Sequence, residues 1–518
     1  MSLTQTVPAG AASGISPLGI LAKASVLLVT AIVLYAAWSV YLIGQPLFGL
    51  FLVIVALFFF FIYGFRRYYF ARFIYPGAAA VLLFIAFPII YTIYLGFTNY
   101  SSQNLLSYER AKEVILSGQI IDQASKRPFA LVDEGGGSYR IFLPEGEAGY
   151  LTGPLALDGS SVTLTAEPVD TPPAETMAMR DAIKFREALG VVGIAMPDGT
   201  ELKSAGLREF ASVEPEYTLL DGDRMRDNAT GDILGPDQSQ GYYVKPDGTL
   251  LPPGWRVNIG WANFNRIFTS AGIRAPMLGI FIWTVIFAAG SVGLTFALGL
   301  VLASILQWEH LRFKAIYRVL LILPYAVPAF ISILVFRGLF NQNFGEINLI
   351  LETLFGIRPE WFTNGFLART MILIVNVWLG YPYMMLLAMG FLQAVPVEQK
   401  KAAVLEGASA FRVFFTITLP QILPPFLPLL LASFAFNFNN IVLILLLTQG
   451  GPDIPGTIIP AGQTDILGSF TFRMAFQDSA QQFGLAGAIT LIIFLIVTII
   501  AYANFVAMRR AANKGASQ

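Results

Sequence analysis

The sequence contains no cysteine and a single histidine, His310. Disulfide bonds, thiolate catalysis and cysteine-ligated metal sites are therefore excluded, and a histidine-based catalytic or zinc site is improbable. Charged residues make up 13% of the 518 residues, whereas a soluble protein carries about 25%. The formal net charge is zero, which indicates no bias toward nucleic acid. Hydrophobic residues reach 55%, including 43 Phe, so the composition predicts a membrane protein.

The hydrophobic residues form eight runs long enough to cross a bilayer, since a helix needs about 20 residues to span about 30 Å of hydrocarbon. None of these runs contains Asp, Glu, Lys, Arg or His. The sequence therefore predicts an all-α polytopic membrane protein with about eight transmembrane helices, at 24–42, 47–63, 73–97, 277–307, 319–336, 370–392, 426–447 and 483–508.

The Lys and Arg residues of the short loops collect on one side of these spans. The loops near 23, 66–72, 312–318, 400–412 and 509–514 hold 13 of them, against Glu309, Glu398 and Glu406. Because cytoplasmic loops carry an excess of Lys and Arg, we expect a multi-pass bacterial inner-membrane protein with both termini in the cytoplasm. The opposite short loops have four basic residues, Arg337, Arg358, Arg369 and Arg473.

One long connection, residues 98–276, has the composition of a soluble domain, with 16 basic and 24 acidic residues. The charge rule places it in the periplasm. Helical patterns occur at 108–116 and 179–189, and turn signals separate short strands at 129–132, 139–143, 161–165 and 242–245. We therefore predict a β-rich periplasmic insertion domain. Its aspartates Asp221, Asp223 and Asp227 lack the ligand spacing of a calcium loop, which predicts a solvated turn.

The membrane-spanning runs also lack the groups that power many transporters. Ion-coupled carriers usually place ionisable residues within the membrane, and none of the eight runs has one. The chain has no Gly-rich phosphate loop ending in Lys-Ser/Thr, so we expect no nucleotide hydrolysis by this chain. Energy for any transport must then enter through another subunit.

Two polar stripes occupy helical faces in the sixth and seventh predicted spans. Asn376, Gly380 and Tyr383 lie at i, i+4 and i+7, and the same spacing joins Ser433, Asn437 and Asn440, with Phe436 beside them. Amides and hydroxyls in hydrocarbon need partners, so the stripes face other helices or a wet cavity. Amide hydrogen bonds and aromatic faces suit a neutral sugar. Interhelical hydrogen bonding is the equally supported alternative.

The loop at 396–420, which follows the sixth span, favours a short amphipathic helix ended by Gly407. Such a helix would lie along the cytoplasmic membrane face and offer a surface to a soluble partner. An ordinary basic loop is the other interpretation.

This loop also carries a family resemblance. Its residues Ala402-Ala403-x-x-Glu406-Gly407-Ala408, with Phe411, Phe415, Ile417, Leu419 and Pro420, resemble the EAA loop of ABC-importer permeases. The runs 448–452 (Thr-Gln-Gly-Gly-Pro) and 483–486 (Phe-Gly-x-Ala) resemble the carbohydrate-uptake branch. Two features resemble the larger membrane subunit of maltose/maltodextrin importers, the MalF type. One is the long insertion, and the other is a set of four runs at 97–102, 317–328, 378–385 and 433–440.

The resemblance implies a type I importer permease core and a division of the chain into 1–97, 98–276, 277–508 and a tail 509–518. It implies a sugar site lined by Asn376, Leu379, Gly380, Tyr383, Ser433, Phe436, Asn437 and Asn440. It also implies an ATPase-coupling segment with Lys401, Ala402, Ala403, Glu406 and Gly407. No catalytic or metal-binding residue is expected.

The implied partners are a second permease subunit of the MalG type, a homodimeric ATPase of the MalK type that binds ATP and Mg, a periplasmic maltose-binding protein, and lipid. One departure is Lys401, which stands where the motif has a leading Glu. This places the usual salt bridge to an ATPase arginine in doubt.

Two other function classes are alternatives to an importer subunit. A secondary carrier or channel would need no ATPase, and the uncharged spans and EAA-like loop oppose it. A membrane enzyme would need a convergent acid/base pair in 98–276, and no pair stands out among the 24 acids. Within the importer class, another α-glucoside remains open as the substrate.

Overall fold

In a computed structural model of the chain, the described residues are 17–515 except 207, 309 and 458. Glu309 and the end of the predicted tail 509–518 thus lie outside the description. The chain forms two compact units. One combines Met1–Ser102 with Asn258–Gln518, and the other is Gln103–Val257, which is shorter than the predicted stretch 98–276.

The first unit is helical. Within the described residues, six helical segments are long and apolar enough to cross a membrane: Ile20–Leu42, Pro46–Gly64, Ala71–Gly96, Ala271–Gln307, Gly365–Ala394 and Ala410–Phe438. Shorter helices are Ala262–Thr269, Lys314–Ala326, Ala329–Leu339, Glu346–Phe355, Val397–Leu405, Ile441–Leu447 and Leu467–Phe476, and the last helix is Phe483–Gly515. The predicted eighth span lies in this last helix, whose apolar segment is Phe483–Ile499.

The predicted fifth span, 319–336, is wrong as a single straight helix. The chain forms Lys314–Ala326 and Ala329–Leu339 with a bend of 92° between them. Pro328 explains the break, because proline disfavours a helical conformation at the residue before it, and Val327 is extended with φ −85° and ψ 131°. With this bent pair counted as one, seven segments of the described residues are long and apolar enough to cross a membrane, and the shorter apolar segment Phe483–Ile499 comes in addition to them.

The predicted seventh span, 426–447, also has different limits. Its helix extends back to Ala410 and ends at Phe438, and a separate helix Ile441–Leu447 follows. Asn440 is the N-cap of that second helix, because its side chain accepts a hydrogen bond from the backbone N–H of Leu443 at 3.4 Å. Placing Asn440 on the same helix as Asn437 was therefore wrong.

The second unit is β-rich, as predicted. Helix Tyr108–Leu116 is confirmed, whereas the predicted helix 179–189 is interrupted by a 3₁₀ turn at Ile183–Phe185. The strands are Gln119–Ile121, Arg127–Pro128, Ala130–Gly135, Ser138–Glu145, Ala148–Thr152, Leu155–Ala156, Val162–Val169, Val192–Ala195, Glu201–Ser204, Glu209–Ala211, Val213–Pro215, Tyr217–Leu219, Met225–Asp227, Ile233–Asp237, Tyr242–Val244 and Leu250–Leu251.

These strands form sheets of nine, five and two strands, and all pairings are antiparallel except that of Val162–Val169 with Val192–Ala195. Two apolar cores support them, one around Leu131, Ile141 and Phe210 and one around Tyr243 and Trp255. The predicted solvated turn at the three aspartates is wrong for Asp227, which is buried at the end of strand Met225–Asp227 and pairs with Lys245, whereas Asp223 pairs with Lys112. Among the described residues no cluster suited to a metal ion occurs.

Close glycine contacts join the helices on the side where the insertion leaves the membrane unit. A side chain at Gly484 would collide with the backbone oxygen of Thr98, and the N–H of Gly484 donates to the carbonyl of Tyr100 at 2.8 Å. The amide of Asn263 donates to the carbonyls of Gly96 at 3.0 Å and Thr98 at 2.9 Å. The Phe-Gly-x-Ala run thus begins the last helix at a backbone-to-backbone contact.

Candidate functional site

The site is built on helix Gly365–Ala394 and the end of helix Ala410–Phe438. Asn376 lies near the middle of the first helix, and its amide nitrogen donates to the amide oxygen of Asn437 at 2.7 Å. The amide nitrogen of Asn437 in turn donates to the backbone oxygen of Ser433 at 2.8 Å. Both amides are buried, so the two predicted stripes meet in one interhelical hydrogen bond.

This contact satisfies only part of the polar capacity of the pair. An asparagine side chain has two N–H donors and an acceptor oxygen with two lone pairs. Within the part of the chain that the structure describes, the Asn376 amide oxygen accepts no hydrogen bond, and the Ser433 hydroxyl has only a 3.5 Å contact with Asn437. Donors and acceptors therefore remain available to a hydroxylated ligand.

Two aromatic side chains on the same two helices are not packed into the core. Phe436 is 70% exposed and Tyr383 is 41% exposed. An exposed phenylalanine on a helix whose neighbours Asn437 and Phe438 are buried presents a free ring face. Such a face can contact the apolar C–H side of a sugar ring.

The remaining predicted residues, Gly380, Leu379 and Asn440, contact other parts of the protein. A side chain at Gly380 would lie 2.8 Å from the Thr295 methyl, so glycine permits close packing against helix Ala271–Gln307. Leu379 packs against a buried apolar cluster, and Asn440 caps the next helix. The structure thus brings Asn376, Ser433 and Asn437 together and leaves Gly380 in contact with a different helix.

A separate groove of about 820 Å³ lies on the same helix, and none of the eight predicted residues lines it. Trp378 lies in this groove, with its ring centroid 5.9 Å from that of Phe336, as expected for a residue that packs against a neighbour. The groove is almost wholly apolar, which does not suit a sugar. Its lining includes Leu294, Val301, Ile374 and Tyr381.

The loop after helix Gly365–Ala394 contains the predicted short helix, Val397–Leu405. It ends at Gly407, whose φ is +84°, a conformation that glycine adopts without a Cβ penalty. Lys401, Ala402 and Glu406 are exposed and Ala403 is half-buried. In the described residues neither Lys401 nor Glu406 forms an ion pair, so both charges are available to a partner.

The exposed surface of this loop is also apolar. Leu405 is 89% exposed and Phe411 is 75% exposed. Large apolar side chains grouped with free charges are typical of a surface that binds another protein.

Two family models match the chain. The one described as the maltose transport system permease protein MalF P2 domain covers residues 106–260. The one described as the binding-protein-dependent transport system inner membrane component covers residues 295–510. The maltose/maltodextrin transport system permease protein MalF of Vibrio parahaemolyticus is 47% identical over 91% of each chain. The chain belongs to the MalF permease family.

A second MalF permease is similar to this chain over most of its length. The Escherichia coli K12 protein of that name is 46% identical over 92% of this chain and 94% of its own length. Among solved structures, a bacterial ABC transporter that imports alginate matches with a TM-score of 0.42 and 18% identity, over 49% of this chain and 84% of its own. This MalF-family chain is thus the membrane component of an ABC transporter and not an enzyme.

In this MalF-family chain the charge distribution alone does not separate Arg473 from the other short-loop cations. In the structure, however, Arg473 is only 8% exposed and lies between Asp465 and Asp453. The signal that could have identified it is the proximity of two aspartates to the Thr-Gln-Gly-Gly-Pro run at 448–452.

Proposed function

We propose that this chain is the larger permease subunit of an ATP-driven importer that carries maltose and maltodextrins across the bacterial inner membrane. Identity of 47% over 91% of the Vibrio parahaemolyticus MalF chain is the observation that carries the proposal. The absence of a nucleotide-binding loop in the sequence supports a separate ATPase subunit.

The sugar contacts the amide pair Asn376–Asn437 in this proposal, with Ser433, Tyr383 and Phe436 around it. The unpaired acceptor of Asn376 and the exposed rings of Phe436 and Tyr383 support this site. Sugar hydroxyls donate to and accept from amides, and ring C–H groups lie against the aromatic faces. Gly380 and Leu379 shape the wall, and Asn440 holds the turn beyond Asn437.

The partners follow from the same family membership. A MalG-type subunit completes the pathway, and a MalK-type ATPase dimer binds ATP and Mg. A periplasmic maltose-binding protein, held partly by the insertion domain, delivers sugar to an outward-facing cavity between the membrane helices. We propose that Val397–Leu405, with Leu405 and Phe411, docks on the ATPase, and that Lys401 or Glu406 pairs with a charge there. Both termini lie in the cytoplasm, in keeping with the Lys and Arg distribution.

The mechanism is alternating access. ATP binding closes the ATPase dimer. Helix Val397–Leu405 transmits that movement to the two helices of the amide site. Sugar then enters from the periplasmic side, and hydrolysis returns the site to the cytoplasmic side. A ligand can shift such an equilibrium only through a difference in its affinity for the two states.

The test of these partners is ATP hydrolysis by the complex reconstituted in lipid vesicles. We expect hydrolysis to be low without binding protein and to rise at least about tenfold with maltose-loaded binding protein, which corresponds to an activation free energy lower by about 1.4 kcal/mol. Binding protein without sugar is the matched control. Hydrolysis that ignores both the binding protein and the sugar would contradict the proposed importer.

A further inference from the structure

A compact cluster of charges joins helix Leu467–Phe476 to the loop that precedes it, which follows helix Ile441–Leu447. Asp465 is fully buried and accepts hydrogen bonds from the Arg473 guanidinium at 2.7 Å, the Gly462 backbone N–H at 2.8 Å and the Ser469 hydroxyl at 2.8 Å. Arg473 also donates to Asp453, at 2.8 Å, whose side chain is 73% exposed. We call the inner pair the Asp465–Arg473 clasp.

The clasp holds the Thr-Gln-Gly-Gly-Pro turn at 448–452. Gly450, with φ +85°, lies directly against Asp465 and Arg473, and no side chain fits there. The Thr464 hydroxyl donates to the carbonyl of Gly451 at 2.7 Å and lies 2.8 Å from the hydroxyl of Thr448. The turn and the clasp are therefore one hydrogen-bonded unit at the end of helix Ile441–Leu447.

The same loop is bonded to the other helices of the core. Arg369, on the helix that carries Asn376, donates to the carbonyl of Gln463 at 2.8 Å. The indole of Trp283 donates to the carbonyl of Thr464 at 3.2 Å, and the Arg369 guanidinium lies 4.9 Å from the Trp283 ring. The loop thus joins helix Ala271–Gln307, helix Gly365–Ala394 and helix Ile441–Leu447.

These hydrogen bonds connect the loop to the amide site, because two of the bonded helices contain or adjoin Asn376 and Asn437. Arg369 stands about two turns before Asn376 on one helix. Helix Ile441–Leu447 is capped by Asn440, three residues after Asn437. Asn376 is therefore connected to the loop of the clasp through two helical turns, and Asn437 through the turn at Asn440 and the short helix Ile441–Leu447.

The charges make this connection stiff. A carboxylate that is wholly removed from water is stable only with a closely paired cation and further hydrogen bonds, and Asp465 has both. The planar guanidinium of Arg473 reaches two carboxylates at once, which a lysine ammonium cannot reproduce with the same geometry.

We infer that the Asp465–Arg473 clasp fixes the separation of helix Gly365–Ala394, which carries Asn376, and helix Ile441–Leu447, which follows Asn437, so that the two helices move as one body. Asp465 and Arg473 are positioning residues, since neither is part of the amide site. The inference rests on the proposed importer function for the motion itself, whereas the fixed separation is a property of this chain alone.

The test is a distance measurement between spin labels in the assembled complex. The chain has no cysteine, so Phe366→Cys and Val442→Cys supply its two labelling positions, on side chains that are 77% and 51% exposed. We expect one narrow distance that is the same in the nucleotide-free and ATP-trapped states. Asp465→Asn should broaden it in both states and lower maltose uptake at least about tenfold, because it leaves Arg473 buried beside a neutral amide.

Asp453→Asn is the matched control. It removes only the exposed partner of Arg473, so we expect a narrow distance and uptake within about twofold of the original. Arg473→Lys keeps the charge but should broaden the distribution of the distance between the labels. It replaces Asp465→Asn as the test variant if the Asp465→Asn complex does not assemble.

Two outcomes would overturn the inference. One is a distance in the unsubstituted chain that differs between the two nucleotide states. The other is an assembled Asp465→Asn complex with an unchanged, narrow distance. Lack of ATP-driven uptake by the unsubstituted complex, with the narrow distance retained, would instead refute the importer function and leave the clasp standing.

Discussion

Replacing Asn437 with alanine is expected to weaken maltose uptake by about five- to a hundredfold, which corresponds to about 1–3 kcal/mol. The substitution removes an amide that can hydrogen bond to sugar and leaves the donor of Asn376 without its 2.7 Å partner. Initial rates of labelled maltose uptake over a range of sugar concentrations would measure the change. Contact with the sugar predicts a raised half-saturating concentration.

Packing alone could also explain a loss at Asn437, so two further variants separate the explanations. Asn439→Ala changes the same residue type at an exposed position of the same helix end, and we expect uptake within about twofold. Phe436→Ala removes a ring that is 70% exposed, so the melting temperature of the chain should stay the same while uptake falls. Normal uptake by both Phe436→Ala and Asn437→Ala would contradict the proposed sugar contact. It would mean that the Asn376–Asn437 pair only joins the two helices.

Replacing Gly407 with valine is expected to separate ATP hydrolysis from transport. Gly407 ends the helix Val397–Leu405 with φ +84°, a conformation that costs a β-branched residue on the order of 1–3 kcal/mol. The turn would shift and move the helix against its ATPase surface. We expect maltose uptake to fall at least about tenfold, while the assembled complex still hydrolyses ATP.

Gly356→Val is the matched control for this substitution. Gly356 also ends a helix with positive φ, +69°, and nothing lies within 4 Å of the position of a Cβ atom at either glycine. The backbone strain is therefore comparable, but Gly356 lies outside residues 396–420, the loop that we propose docks on the ATPase. Uptake that falls equally in both variants, or that survives in Gly407→Val, would contradict the coupling assignment.

Hydropathy located the membrane helices but not their breaks. Run length and the absence of charge are sufficient to find helices such as Pro46–Gly64, because hydrocarbon demands both. The 92° bend near Pro328 and the new helix after Asn440 escaped that approach. Both depend on a single residue within an apolar run, where averaged hydropathy remains high.

The amide site was predictable in its residues and ambiguous in its role. Helical spacing identified Asn376 and Asn437. It predicted that they either bind a ligand or form a hydrogen bond between the two helices. The structure contains the interhelical bond and leaves the Asn376 oxygen without an intramolecular donor in the described chain, so one site can serve both purposes. The Asp465–Arg473 clasp was not predicted, because two aspartates and an arginine that follow the Thr-Gln-Gly-Gly-Pro run show neither helical nor strand periodicity.

The central claim is that this MalF-family chain imports maltose through an ATP-driven complex, and uptake into sealed vesicles tests it most directly. The purified complex would be reconstituted with binding protein and labelled maltose on the periplasmic face, and ATP on the ATPase face. We predict accumulation of maltose above its external concentration with ATP, and none with a non-hydrolysable analogue. Equal uptake with and without ATP would contradict the account and indicate a carrier or channel.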